Sequence, residues 1–117
     1  MKRLNAKYVS ASEAGDYYQV TFEEEYDSLT NYFLIQRGFE FEEILPDDPY
    51  IESDDLRYCG RPKFLTMEFT RTRFYLRLAD KAKSELEINF DIPDKEYKAA
   101  KRILKIILSG YDFVKIE

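Results

Sequence analysis

Three short runs between residues 64 and 90 constrain this chain more than any other stretch. Leu65, Met67 and Phe69 form one apolar row with polar residues between them; Phe74, Leu76 and Leu78 form a second, and Leu86, Ile88 and Phe90 a third. A period of two belongs to a β-strand with one face on a core and the other in water. A turn centred on Arg71 and Thr72 sets Phe69 opposite Phe74, Met67 opposite Leu76 and Leu65 opposite Leu78. All three rows then share one face, which is the condition for a fixed register. Pairing Leu78 with Leu86 puts Arg77 opposite Glu87 and leaves Glu68 diagonal to Arg73 and Arg77.

The remaining segments are fitted around that ladder. Residues 4–10 and 17–24 alternate in the same way, with Leu4, Ala6 and Tyr8 in one row and Tyr18, Val20 and Phe22 in another. Ser12, Gly15 and Asp16 supply turn chemistry between them, so an opening hairpin is expected. Residues 32–37 are nearly continuously apolar, the pattern of a strand buried on both faces, under the C-terminal helix for example. From 39 to 61 the periodicity fails, Pro46 and Pro49 intervene and acids are dense. That stretch is expected to be a long connection with at most one short strand around Tyr50, Ile51 and Glu52. Asp94 is placed to cap a helix over about residues 95–109, in which Tyr97, Ala100, Ile103, Leu104, Ile107 and Leu108 make one apolar face and after which Gly110 is the stop. Residues 111–116 are expected as a last edge strand. The implied class is α+β: an antiparallel, meander-like sheet of about five to seven strands with one C-terminal amphipathic helix packed on one face.

The 117 residues make a single domain, 1–117. No apolar run approaches the ~20 residues of a membrane span, and no apolar segment follows Lys2 and Arg3 as a secretory signal requires, so a cytoplasmic protein without a membrane partner is expected. A lone cysteine, Cys59, fits a reducing compartment. The absence of histidine removes the commonest general base and metal ligand, and no zinc site or His-dependent nucleophile is expected. The net charge of -5 conceals an asymmetry: residues 1–56 hold fourteen acids against four bases, and the rest hold nine against fourteen. An acidic first half argues against a nucleic-acid surface there and for a basic partner.

No cofactor or metal is expected, and no catalytic residue. The acidic segment 47–55 lacks the central glycine of a calcium loop, and nothing in its spacing selects a catalytic carboxylate pair. Cys59 lies between Arg57 and Arg61 but has no histidine to form a thiolate pair. The residues expected to bind a partner are Asp47, Asp48, Tyr50, Glu52, Asp54, Asp55 and Tyr58, where carboxylates steer a cationic surface and tyrosines pack against it. The second choice is the outer face of the ladder, with Arg73, Tyr75 and Arg77 as anchors. Its charges answer one another across strands, so a solvated, self-neutralised face is the plainer reading.

The order of segments resembles a family of bacterial polymorphic toxin systems, the group known as immunity protein ten. The likeness spans about residues 17–108. It rests on the aromatic-aliphatic run Tyr32, Phe33, Leu34, Ile35 ending in Gln36 and Arg37, then Tyr50, Ile51 and Glu52, then Tyr58, Cys59 and Gly60, then the alternating strands to Phe90. A fuller glycine-rich turn is usual in that family where this chain has Gly60 alone. The resemblance implies a non-enzymatic protein that binds a cognate toxin domain and blocks it. An adaptor domain with another protein partner, or a small-ligand-binding or carboxylate-based enzyme domain, are the alternatives.

Overall fold

The computed structural model describes residues 1–26, 30–38 and 49–117. It is α+β, with two sheets where the alternation suggested one. The strands are β1 (Lys2–Ala6), β2 (Tyr8–Ala14), β3 (Tyr17–Glu23), β4 (Tyr32–Gly38), β5 (Tyr50–Ser53), β6 (Phe64–Phe69), β7 (Arg73–Leu78), β8 (Glu85–Phe90) and β9 (Val114–Ile116); the helix is α1 (Asp94–Ile107). The larger sheet runs β1-β8-β7-β6-β9 and the smaller β2-β3-β4-β5. The larger is mixed rather than a pure meander, because β1 joins β8 and β9 joins β6 in parallel.

The expected ladder is β6-β7-β8, with two local differences. Phe69 faces Phe74 and Met67 faces Leu76, but Phe64 takes the place opposite Leu78. A bulge between Phe64 and Thr66 absorbs Leu65, which is 46% exposed while Phe64 is only 9% exposed. An extra residue in one strand turns the side chains before it to the other face. Against β8, Leu76 rather than Leu78 faces Leu86, so Arg77 lies opposite Glu85 and Tyr75 opposite Glu87. The shift is two residues, which keeps every apolar row inside.

The expected first strand is two strands in different sheets. Leu4 and Ala6 are buried in β1, yet Val9 rather than Tyr8 is buried in β2. The inward phase slips at Lys7, whose backbone N–H donates to the Glu23 carbonyl (2.9 Å), and the chain crosses to the second sheet there. The hairpin itself stands, as β2 with β3 around Gly15 at φ +65°. Glycine at the first central position of a two-residue turn adopts positive φ without a Cβ penalty.

β4 alternates instead of being buried on both faces: Phe33 and Ile35 are buried, while Tyr32, Leu34 and Gln36 keep partial exposure. The two sheets face each other through phenylalanines, with the Phe22 ring 5.2 Å from Phe74 and 5.9 Å from Phe90, and Phe33 5.6 Å from Phe74. The helix packs against β2 and β3 rather than over the ladder, burying Ala100, Ile103, Leu104 and Ile107. At its start it also reaches the larger sheet, where Tyr97 stacks on Phe69 at 5.5 Å. Pro93, not Asp94, is the N-cap; Asp94 is the first helical residue and pairs with Arg71 at 2.9 Å. A carboxylate in the first turn still meets the positive end of the helix dipole.

Candidate binding surface

The outward face of the smaller sheet follows from its register. Tyr8, Glu23 and Tyr32 lie in one row across β2, β3 and β4. Ser10, Thr21, Leu34 and Glu52 make the next row, and Ser12, Gln19, Gln36 and Tyr50 the third. Their neighbours along each strand, among them Val9, Val20, Phe22, Phe33, Ile35 and Ile51, are buried, so these side chains point away from the core. The four strands contain a single base, Arg37. It lies on the inner side, where it donates to the carbonyls of Ile107 (3.0 Å) and Ser109 (3.2 Å) at the end of the helix. The outward rows therefore carry the carboxylates of Glu23 and Glu52, tyrosines, hydroxyls and amides.

Glu52 is the most constrained group on this face. Tyr50 donates its hydroxyl to Oε1 and Tyr32 donates to Oε2, both at 3.1 Å. Burial, and then the hydrogen bond to Glu52, push the Tyr32 phenol up to about 12. The same bond is the leading cause of the rise at Tyr50, where Arg61 acts weakly in the opposite direction. Among the described residues no base forms an ion pair with Glu52.

Of the residues expected to bind a partner, Asp47 and Asp48 lie outside the described residues. Tyr50 and Glu52 come together as above. Asp54 and Asp55 turn instead to the first strand, each with an oxygen 3.6 Å from Lys2 Nζ. Asp54 also accepts from the Asn31 backbone N–H at 2.9 Å. Asp55 caps a 3₁₀ turn (Leu56–Tyr58), accepting from Arg57 through its backbone N–H (3.0 Å), Nε (3.2 Å) and Nη2 (2.8 Å). The Arg57 side chain is the main reason the Asp55 carboxyl is held down at about 2. Tyr58 is a correction: it is 1% exposed and donates to the Glu85 carbonyl at 2.6 Å, so it ties the turn to β8 and offers no surface. Cys59 is half-buried, its Sγ 3.3 Å from the Ser53 carbonyl. Among the described residues no group of three or more His, Cys, Asp or Glu is placed to hold a metal ion.

The second-choice face is internally paired. Arg73 meets Glu87 at 2.9 Å and Glu68 at 3.4 Å, and its guanidinium lies 4.6 Å from the Tyr75 ring centre. Tyr75 donates to Glu85 at 2.9 Å. Asn89, then Arg73, hold the Glu87 carboxyl below its ordinary value. Arg77 sits opposite Glu85 with its Nε buried and without a hydrogen-bond partner.

Sequence reasoning missed Tyr8, Gln19, Tyr32 and Leu34 as members of one surface. The signal lay in the polar half of each alternation, which is as regular as the apolar half. A cavity of about 330 Å³ opens beside the same face, between Tyr8, Glu23 and Tyr26 and the helix start at Pro93 and Glu96, with Lys7 at its rim. No protein-family model matches the chain, and no curated protein matches it. No helix among the described residues is long and apolar enough to cross a membrane.

Proposed function

We propose that this chain is a non-enzymatic binding protein that neutralises a cognate bacterial toxin domain in the cytoplasm by docking an acidic surface onto a basic one. The observation that carries the reading is the outward face of the smaller sheet, where two carboxylates stand among tyrosines and the only base of the four strands is turned inward. Tyrosine gives large contact area at small entropic cost, and serine and glutamine supply adaptable hydrogen bonds. Carboxylates of one sign steer a cationic partner and raise its association rate. The resemblance in segment order to immunity proteins points to a toxin as that partner.

The test is co-purification with the product of the adjacent gene, followed by charge reversal. Glu23→Lys and Glu52→Lys are expected to weaken the complex and to reduce its dependence on salt. A complex with unchanged affinity and salt dependence in both variants removes the acidic face from the reading. A lone gene, or a neighbour product that does not bind, favours an adaptor domain with another partner.

A further inference from the structure

We infer that Glu52, held between Tyr32 and Tyr50, is the acceptor for an arginine side chain of the protein partner. This rests on the reading that the smaller sheet docks a basic surface, and it names the contact at its centre. A carboxylate has about four acceptor positions, two on each oxygen. The two phenols use one on Oε1 and one on Oε2, at 3.1 Å each. One position on each oxygen is left, and the carboxylate plane is fixed by two separate strands. A guanidinium presents two parallel N–H groups with the spacing of the two carboxylate oxygens, and its flat faces stack on aromatic rings. A lysine ammonium is a point charge that can lie over a ring, as Lys101 does over Tyr97, but it cannot make the paired contact.

The contrast with the other carboxylates supports the assignment. Asp55, Glu68 and Glu87 also accept hydrogen bonds, and each has its own base within the chain. Glu52 is bonded on both oxygens yet forms no ion pair among the described residues. Leu34, directly across from it on β4, is half-buried and supplies an apolar floor for the methylene stem of an arginine. An acceptor locked before binding loses little side-chain entropy on binding, which concentrates affinity at such a site.

The experiment needs no knowledge of the toxin. A tri-arginine peptide amide is titrated into the 15N-labelled protein, with tri-lysine and tri-citrulline amides as the other arms. The expected result is saturable shifts centred on the Tyr32, Leu34, Tyr50 and Glu52 amides with tri-arginine, smaller ones with tri-lysine and none with tri-citrulline. Glu52→Gln keeps the side-chain shape and is expected to weaken tri-arginine by about tenfold. The double variant Tyr32→Phe, Tyr50→Phe, with its carboxylate present but no longer clamped, is expected to lose the preference for arginine over lysine. Equal shifts with arginine and lysine, shifts spread over other acids, no shifts at all, or an unaltered Glu52→Gln titration would each overturn the inference. None of these outcomes touches the toxin reading, which stands or falls on the adjacent-gene complex.

Discussion

Asn in place of Asp55 is expected to cost about 1 kcal/mol of stability at pH 7 and less in acid. The carboxyl is held at about 2 in the folded chain against its ordinary 3.8. At about 1.4 kcal/mol per pH unit, a shift of that size sets a ceiling of about 2 kcal/mol. Arg57, the main cause, is 63% exposed at its side chain, and solvent screening brings the figure to about half of the ceiling. Asparagine keeps an oxygen for the Arg57 backbone N–H, so the loss reports charge rather than the cap. The folded carboxyl is the stronger acid. As pH falls, the unfolded chain takes up the proton first, so the wild-type advantage is full above the unfolded value and lost as pH falls toward 2. About half of it is gone at pH 3. Urea unfolding followed by circular dichroism at pH 7 and pH 3 reads this as a difference in midpoint at constant slope. A gap that is missing at pH 7, or equally large at pH 3, would refute the reasoning.

Tyr58→Phe is expected to cost about 1 kcal/mol, because it removes the buried hydrogen bond to the Glu85 carbonyl, and Tyr58→Ala about 3–5 kcal/mol; urea unfolding separates both from a surface residue, which would cost almost nothing. Phe64→Ala is expected to destabilise by more than 2 kcal/mol and Leu65→Gln by less than about 0.5 kcal/mol, a difference in melting midpoint that an unbulged strand would reverse. The Tyr32 phenol is expected to ionise near pH 12 in an absorbance titration, and earlier in Glu52→Gln. Its folded-state value is raised, so the stability it contributes is full below pH 10 and is lost as pH rises through 12.

The sequence made the strands of the ladder, the β2–β3 hairpin and the apolar face of the helix legible, since each rests on a period that a short window reveals. What it concealed were two changes of phase. At Lys7 and at Leu65 the inward side switches, and a window that spans either one assigns the wrong member to the core, Tyr8 for Val9 and Leu65 for Phe64. Alternation also says nothing about which strand lies beside which, so the parallel edges β1 and β9 and the division into two sheets were out of reach. At the candidate site, Tyr50 and Glu52 were legible because they sit beside each other on one alternating strand. Tyr32 was not, because it is brought to Glu52 only by the pairing of β4 with β5. Tyr58 misled because a tyrosine beside acids reads the same in sequence whether its ring lies in or out.

The two open sheet faces differ in what a partner would have to break. On the larger sheet the row Arg3, Glu87, Tyr75, Glu68 and Lys115 crosses all five strands in register. Glu87 has Arg73 and Arg3 within 3.6 Å, and Arg73 is shared with Glu68. A partner covering that face strips water from charges that already have their counterparts, so it gains little Coulomb energy against the desolvation cost. On the smaller sheet the same desolvation would be offset by a new pair at each carboxylate, because Glu23 and Glu52 form no ion pair among the described residues. Tyrosine rings between them are half apolar already and lose little on being covered. Arg73, Tyr75 and Arg77 are the residue types of an interface, but Arg73 and Tyr75 already hold their partners within the larger sheet. Glu52 accepts from two phenols and forms no ion pair among the described residues, and a basic partner, as proposed above, would supply that missing charge.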